Sequence, residues 1–546
     1  MFAPTALADG GGGNITPRDQ GARRFVENVS VPNILQHSVA LESIGKLNDD
    51  TREVFSSGYQ ESLDYVVQTL RDSGYNPKVT PFNFPFWAEN KPAVLNSVSP
   101  APGKTYKPGT AADSDTPNSD FIVMANSPTV ELTNAPVFPV GGILDPPTGG
   151  SASGCADADY AGVSGKVALV QRGTCPFVEK WERAQAAGAT GVIIYNEGNT
   201  PARQNPIFVD NQPDPAATIA AVISSYTLGN DLLQAYKQGK APKVDFKVYG
   251  GFTDRFINQV IAETKGGDPN HVVVVGAHLD SVPFGPGIND DGSGTAMLLA
   301  QAQELADGHY NLRQKIRFGW WGGEENGLVG STYYAHNLSQ KEVDKIDVML
   351  DYDMLASPNY ARLVYDGDGD DAPGNPAGPE GSGKVEQVHD DWLRSQGLTS
   401  ERIPFDGRSD YVGFTDRGIP AGGVFAGAEA PKTAAQVALY GGAEGAWLDP
   451  CYHQICDNLS TILTSVPPIS ADGLAMFATD AEKKAAARKM KGLSLKGLKE
   501  LGGAASYAVY YFANSKDPFG TKPGGHGKPD RHRRDRWHGH GKRINR

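Results

Sequence analysis

The sequence predicts an α/β protein: a mixed, largely parallel sheet with helices on both faces, into which a second, small α/β unit is inserted. Three observations predict it. From residue 255 onward, apolar runs at 271–277, 316–321, 348–353 and 422–425 alternate with helical patterns such as 294–306, and alternation of that kind builds a parallel sheet covered on both sides. A separate alternation of strands and helices fills 130–242. Before it, Pro92, Pro100, Pro102 and Pro108 interrupt regular structure and mark a boundary.

A chain of 546 residues exceeds what one hydrophobic core usually organises, so two folded domains with tails are expected. Apolar residues make up 39% and charged residues 21%, the balance of a globular chain. Its longest strand-like run, His271-Val272-Val273-Val274-Val275, falls far short of the roughly 18 residues that span a bilayer, so no integral membrane segment is expected. A net charge of −13 argues against a nucleic-acid partner, because phosphate binding needs a basic face. Segment 526–546 reverses that balance, with eight Lys/Arg against two Asp, and 516–546 reads as a basic disordered tail.

Taken in order, residues 1–28 are rich in glycine and polar residues and read as a flexible N-terminus; Ala6-Leu7-Ala8 resembles the cleavage end of a signal peptide without its preceding regions. Leu63, Val66, Val67 and Leu70 recur at helical spacing and stop at Gly74. A strand follows over 78–86. In the small unit, strands are expected at 166–170, 191–195 and 220–225 and helices at 176–187 and 228–236. The resulting division assigns 29–115 and 243–515 to one discontinuous domain and 116–242 to the inserted one. Cys155, Cys175, Cys451 and Cys456 form two sequence-local pairs without C-x-x-C spacing, which favours two disulfides over metal ligation and hence an oxidising, extracellular setting.

Five stretches carry chemistry. Gly276-Ala277-His278-Leu279-Asp280-Ser281 closes an apolar strand, where ligands of open α/β sheets collect. Gly287-Ile288-Asn289-Asp290-Asp291-Gly292-Ser293-Gly294 sets carboxylates on a glycine-rich loop that opens a helix, where either aspartate is equally an N-cap. Trp320-Trp321-Gly322-Gly323-Glu324-Glu325 ends a strand in two adjacent carboxylates, which repel each other unless a cation compensates them and which would divide labour as ligand and base. Asp351-Tyr352-Asp353-Met354 ends another, and Cys451-Tyr452-His453-Gln454-Ile455-Cys456 presents a histidine in a short loop between cysteines. Together these supply the inventory of a two-metal site. Nitrogen and oxygen donors without thiolate suit zinc, and a pair of ions can share one bridging carboxylate and one bridging hydroxide.

In those stretches the chain resembles the secreted double-zinc aminopeptidases of the aminopeptidase S and aminopeptidase Y type, over most of 255–460. The resemblance implies the zinc-exopeptidase fold and two Zn2+ per chain. It makes His278 and Asp353 ligands of one zinc, Glu325 and His453 ligands of the other, Asp290 the bridge and Glu324 the general base. Asp280 corresponds to a carboxylate that fixes the His278 tautomer. Arg408, in Gly407-Arg408-Ser409-Asp410, and Tyr452 match substrate-binding positions, with Met354 and Phe425 expected to line an apolar pocket for a leucine-type residue. The 116–242 unit resembles a protease-associated domain around Cys155 and Gln171-Arg172-Gly173-Thr174-Cys175. The expected partners are peptide or protein N-termini, attacked by a monomer; a carboxypeptidase or dipeptidase with the same metals, and a non-catalytic binding protein of this fold, are the alternatives.

Overall fold

Five consecutive residues of the run His271 to Val275 lie inside a longer strand, Asp268–His278, that sits in the interior of an eight-stranded sheet. This computed structural model describes residues 14–519 except 115, 201–202, 210–212, 214–215 and 372–375; the expected signal-peptide remnant and nearly all of the basic tail lie outside the described residues. The sheet runs Lys78–Glu89, Gly250–Glu263, Gln314–Trp321, Asp268–His278, Ile346–Asp351, Ala421–Phe425, Leu363–Tyr365, Glu401–Ile403. Its four central strands, Gln314–Trp321 to Ala421–Phe425, pair in parallel. Antiparallel pairs enter on either side, Gly250–Glu263 against Gln314–Trp321 and Leu363–Tyr365 against Ala421–Phe425. The sheet is therefore mixed with a parallel centre, as expected.

Val272 to Val275 are all buried, which is why the strand reads as an unbroken apolar run rather than an alternation. Val272 and Val274 pack with Ala335, Phe414 and Ile419 on one face. Helices Gly292–Asp307 and Leu493–Asn514 cover the other. In the latter helix every residue from 501 to 514 is buried; the Gly-Gly-Ala-Ala stretch at 502–505 lets it lie close to the Ser382–Ser395 helix, where a Cβ on Gly503 would stand 3.1 Å from Trp392 Nε1.

The flexible stretch expected over 1–28 is corrected in its described part, which forms the helix Gln20–Asn28. Averaged composition hid an i, i+3 pair, Ala22 and Phe25, both fully buried. Phe25 packs edge-on against Tyr310 at 5.5 Å and beside Tyr510 at 6.0 Å. A second helix, Val31–Leu47, follows, capped by Ser30.

The chain divides into two compact units, 14–82 with 256–519, and 83–255. The second holds a nine-stranded sheet centred on Val167–Gln171 and Gly191–Tyr195, with helices Phe177–Ala186 and Tyr226–Lys237. It is wider than 116–242 because Val94–Ser99 and Lys104–Tyr106 join this sheet through Lys243–Val248. The prolines at 100 and 102 lie in the turn between two of its strands. Cys155 is joined to Cys175 in this unit, and Cys451 to Cys456 in the other. Among the described residues no helix is long and apolar enough to cross a membrane.

Candidate metal centre

The parallel strands deliver the site at their carboxyl ends. His278 is the last residue of the central strand and pairs in register with Trp321, after which two glycines lead to Glu324 and Glu325. A side chain on Gly322 would meet Tyr59 Oη at 2.1 Å, so the close turn requires glycine. Asp353 lies two residues beyond Ile346–Asp351. Met354, beside it, and His453 both hold left-handed backbone (φ 54° and 58°), a conformation that costs a non-glycine residue energy and collects at functional sites. His453 sits in the loop closed by Cys451–Cys456.

The two neighbouring aspartates part company. Asp291 is the N-cap of Gly292–Asp307: its Oδ1 accepts from Gly294 N at 2.9 Å and from Met354 N at 3.1 Å. Asp290 points the other way, with Oδ1 3.2 Å from His278 Nε2 and Oδ2 3.2 Å from His453 Nε2. Glu325 Oε2 lies 3.1 Å from His453 Nε2, and Asp353 Oδ1 lies 3.7 Å from His278 Nε2. Each imidazole thus has one carboxylate of its own and shares Asp290 with the other. Glu324 is buried, its Oε2 3.9 Å from His278 Nε2. Donor atoms of His278, Asp291 and Asp353 all fall within 4.8 Å of one another, as do those of His278, Asp290 and Glu325. Asp353 Oδ2 accepts from Ser409 Oγ at 2.8 Å, while its buried Oδ1 has no hydrogen-bond partner among the described residues. A buried carboxylate oxygen left so beside the His278 imidazole fits a cation ligand.

One geometry differs from expectation. His278 Nδ1 is hydrogen-bonded to the backbone oxygen of Asp280 at 3.0 Å, and the Asp280 carboxylate stands 3.8 Å away. That carboxylate instead accepts from the backbone N–H groups of Gly323, Glu324 and Glu325, at 2.9, 3.2 and 3.2 Å. Asp280 therefore fixes the turn carrying both glutamates, and its main chain orients the imidazole. Burial lifts its carboxyl to about 6.

Charge is concentrated here. Burial works against protonating His453, but Glu325 and Asp290 outweigh it and raise the imidazole to about 9. His278 moves up likewise, against burial, under Glu324, Asp290 and Asp353. Burial alone would push Asp290 up; the two imidazoles hold it well below the usual carboxylate range. The carboxylates favour positive charge at each imidazole, and a bound cation would take the place of those protons.

Tyr452 stacks on His453, and Met354, Ala428 and Tyr452 pack together, with Phe425 against them, as one apolar cluster. Arg408 donates to both oxygens of Glu429, at 2.8 and 3.1 Å, and to Tyr452 Oη at 3.1 Å. Sequence reasoning missed Glu429, which stands alone in a loop without a motif. It also missed Asp457, whose oxygens accept from Asn289 N and Asp290 N at 2.7 and 2.9 Å, and Asp449, which accepts from Asn289 Nδ2 at 2.6 Å. These flank the His453 loop, and that adjacency was the available signal. Arg52, buried behind the site, left none.

Carboxylates and imidazoles gathered at the strand ends and in the adjoining His453 loop could hold metal ions. The model of peptidase family M28 matches residues 259–478, and that of the PA domain 133–232. An aminopeptidase of Pseudomonas aeruginosa (strain UCBPP-PA14) is 40% identical over 473 residues, 85% of this chain and 84% of that one. Leucine aminopeptidase 2 of Arthroderma otae is 36% identical over 440 residues, 80% of this chain and 81% of its own. Among solved structures, a zinc aminopeptidase from Bacillus subtilis shares the fold with a TM-score of 0.60 at 23% identity, covering 89% of this chain and 96% of that one. The chain belongs to peptidase family M28 and carries a PA domain.

Proposed function

We propose that the chain is a secreted two-zinc aminopeptidase that removes hydrophobic, leucine-type residues from peptide N-termini. The observation that carries the reading is Asp290, whose two oxygens each face a different imidazole at 3.2 Å, with Asp353 and Glu325 as the outer carboxylates. His278 and Asp353 would hold one zinc, His453 and Glu325 the other, with Asp290 between them. Nitrogen and oxygen donors of this kind suit zinc. Bound there, the ions would supply Lewis-acid polarisation of the scissile carbonyl and acidify water.

The chain's own groups do the rest. Glu324 accepts a proton from the attacking water and returns it to the leaving amine. Asp280 holds the Glu324 backbone in place through the Glu324 N–H. Tyr452, whose oxygen accepts from Arg408 and whose ring stacks on His453, would serve as a donor to the oxyanion. Glu324 and Asp353 attract the substrate's ammonium.

Arg408 bears on the alternatives. A carboxypeptidase or dipeptidase needs a cation for the terminal carboxylate, whereas the Arg408 guanidinium is bound bidentately by Glu429. That favours recognition of an amine. The names of the aminopeptidase relatives, and of the leucine aminopeptidase among them, support the same direction. Two disulfides support an oxidising compartment.

The direct test of the mechanism is Glu324→Gln. The variant should keep its zinc and lose activity by orders of magnitude; near-normal turnover would sink the assignment of the base.

A further inference from the structure

Arg52 is completely buried, and its guanidinium serves three backbone carbonyls: Nε donates to Pro286 O at 2.6 Å, Nη1 to Leu279 O, and Nη2 to Gly287 O at 2.7 Å. Leu279 directly follows His278, and Gly287 lies three residues before Asp290. One side chain therefore ties the strand end that carries the first imidazole to the loop that carries the shared carboxylate. The main chain around it adds to the tie. Arg52 N donates to Ser281 Oγ at 3.0 Å, Ser281 N donates to Arg52 O at 3.2 Å, and Thr51 bridges Gly285 while its hydroxyl donates to Val282 O at 3.2 Å.

The buried charge is matched to its surroundings. Asp280, Asp457, Asp291 and Asp290 all act on it electrostatically. A buried cation is tolerated only when hydrogen-bonded and compensated. Here each guanidinium nitrogen donates to one carbonyl, and the carboxylates in and around the centre compensate the charge. A lysine at the same place offers a point charge on a flexible stem and cannot reach three divergent carbonyls.

We propose that Arg52 is a positioning residue for the metal centre: by fixing the His278 and Asp290 backbones relative to each other, it sets the affinity of the centre for its ions. Because Asp290 is shared, loosening it weakens both sites together. The proposal rests on the metal reading above.

The test uses the full chain with Arg52→Lys and Arg52→Met. Arg362→Lys serves as the control; Arg362 is a buried arginine that binds Glu500 and the Thr399 carbonyl. Zinc affinity is measured by competition with a chromophoric chelator, and thermal unfolding is followed with and without zinc. Arg52→Lys should lose about 10- to 100-fold in zinc affinity at both sites, the range typical of groups that orient ligands. Excess zinc should restore its kcat with KM unchanged, and the rise in Tm on adding zinc should shrink. Arg362→Lys should lose stability and keep wild-type zinc affinity.

Wild-type zinc affinity in Arg52→Lys, whatever its stability, would overturn the proposal, as would failure of that variant to fold under saturating zinc, which would mark a purely structural role. Absence of zinc binding by the wild-type chain would instead overturn the metal reading itself.

Discussion

The Tyr452 ring lies face to face with the His453 imidazole, centroids 3.8 Å apart and planes 25° from parallel. In the proposed reading the contact joins a substrate-binding group to a metal ligand. Removing the ring would disturb both, so the informative substitution is Tyr452→Phe, which keeps the stack and deletes the hydroxyl that Arg408 polarises. Loss of one such oxyanion donor costs about 10²- to 10³-fold in kcat. Tyr452→Phe should fall in that range with KM and zinc content little changed. An unaltered kcat would remove Tyr452 from the chemistry.

The Cys451–Cys456 disulfide closes a loop around His453, whereas Cys155–Cys175 lies in the other unit. Replacing the first pair by alanine should free the His453 loop and weaken zinc binding by about tenfold, within the range for groups that orient ligands. Replacing the second pair should leave zinc affinity unchanged. Chelator competition on the two double variants reads the difference, and equal affinities would show that the loop needs no staple.

Met354, Ala428, Tyr452 and Phe425 pack into one apolar cluster beside the centre, which in the proposed reading is the wall that receives the N-terminal side chain. Each buried methylene contributes about 0.8 kcal/mol, so leucyl p-nitroanilide should be cleaved at least about tenfold faster than the alanyl substrate below saturation. Aspartyl p-nitroanilide should be poor, because its charge would be desolvated without a partner. N-acetyl-leucyl p-nitroanilide, lacking the ammonium, should resist cleavage. Faster turnover of either of the last two would overturn the hydrophobic-aminopeptidase reading.

Lys432 is buried against the carbonyls of Asn359 and Tyr360, at 2.9 and 2.7 Å, and burial lowers its amine to about 7. Unfolded, the same amine keeps its proton up to about 10.5. Between these values the unfolded chain binds more protons, so this group makes stability rise with pH through the window and withholds stability as pH falls toward 7. Set against Lys432→Met, the wild type should gain up to about 1.4 kcal/mol per pH unit there. Parallel unfolding curves from pH 7 to 10 would contradict the buried neutral amine.

Much of the catalytic unit was legible because its signals are local. The valine run 272–275 could only be a strand buried on both faces, and His278, Glu324, Glu325 and Asp353 follow directly from strand ends. What escaped reading depends on distance. Arg52 meets Leu279 and Gly287 across more than 220 residues of chain, and nothing around Thr51-Arg52-Glu53 marks it as buried. Glu429 acquires meaning only when folding sets it against Arg408. Asp280 was recognised by position, yet whether its carboxylate or its carbonyl meets His278 is settled by a backbone turn that spacing does not encode. The helix Gln20–Asn28 was lost in a glycine-rich average, although Phe25 and Ala22 carried its buried face.

The central claim is that two ions, joined through Asp290, make one catalytic centre. It is tested most directly by stripping the protein of metal, restoring zinc stepwise, and following bound zinc and leucyl p-nitroanilide hydrolysis on the same samples. The account predicts full activity only as binding reaches two zinc equivalents per chain, with Asp290→Ala unable to retain both. Full activity at one equivalent, with no further change at the second, would contradict it.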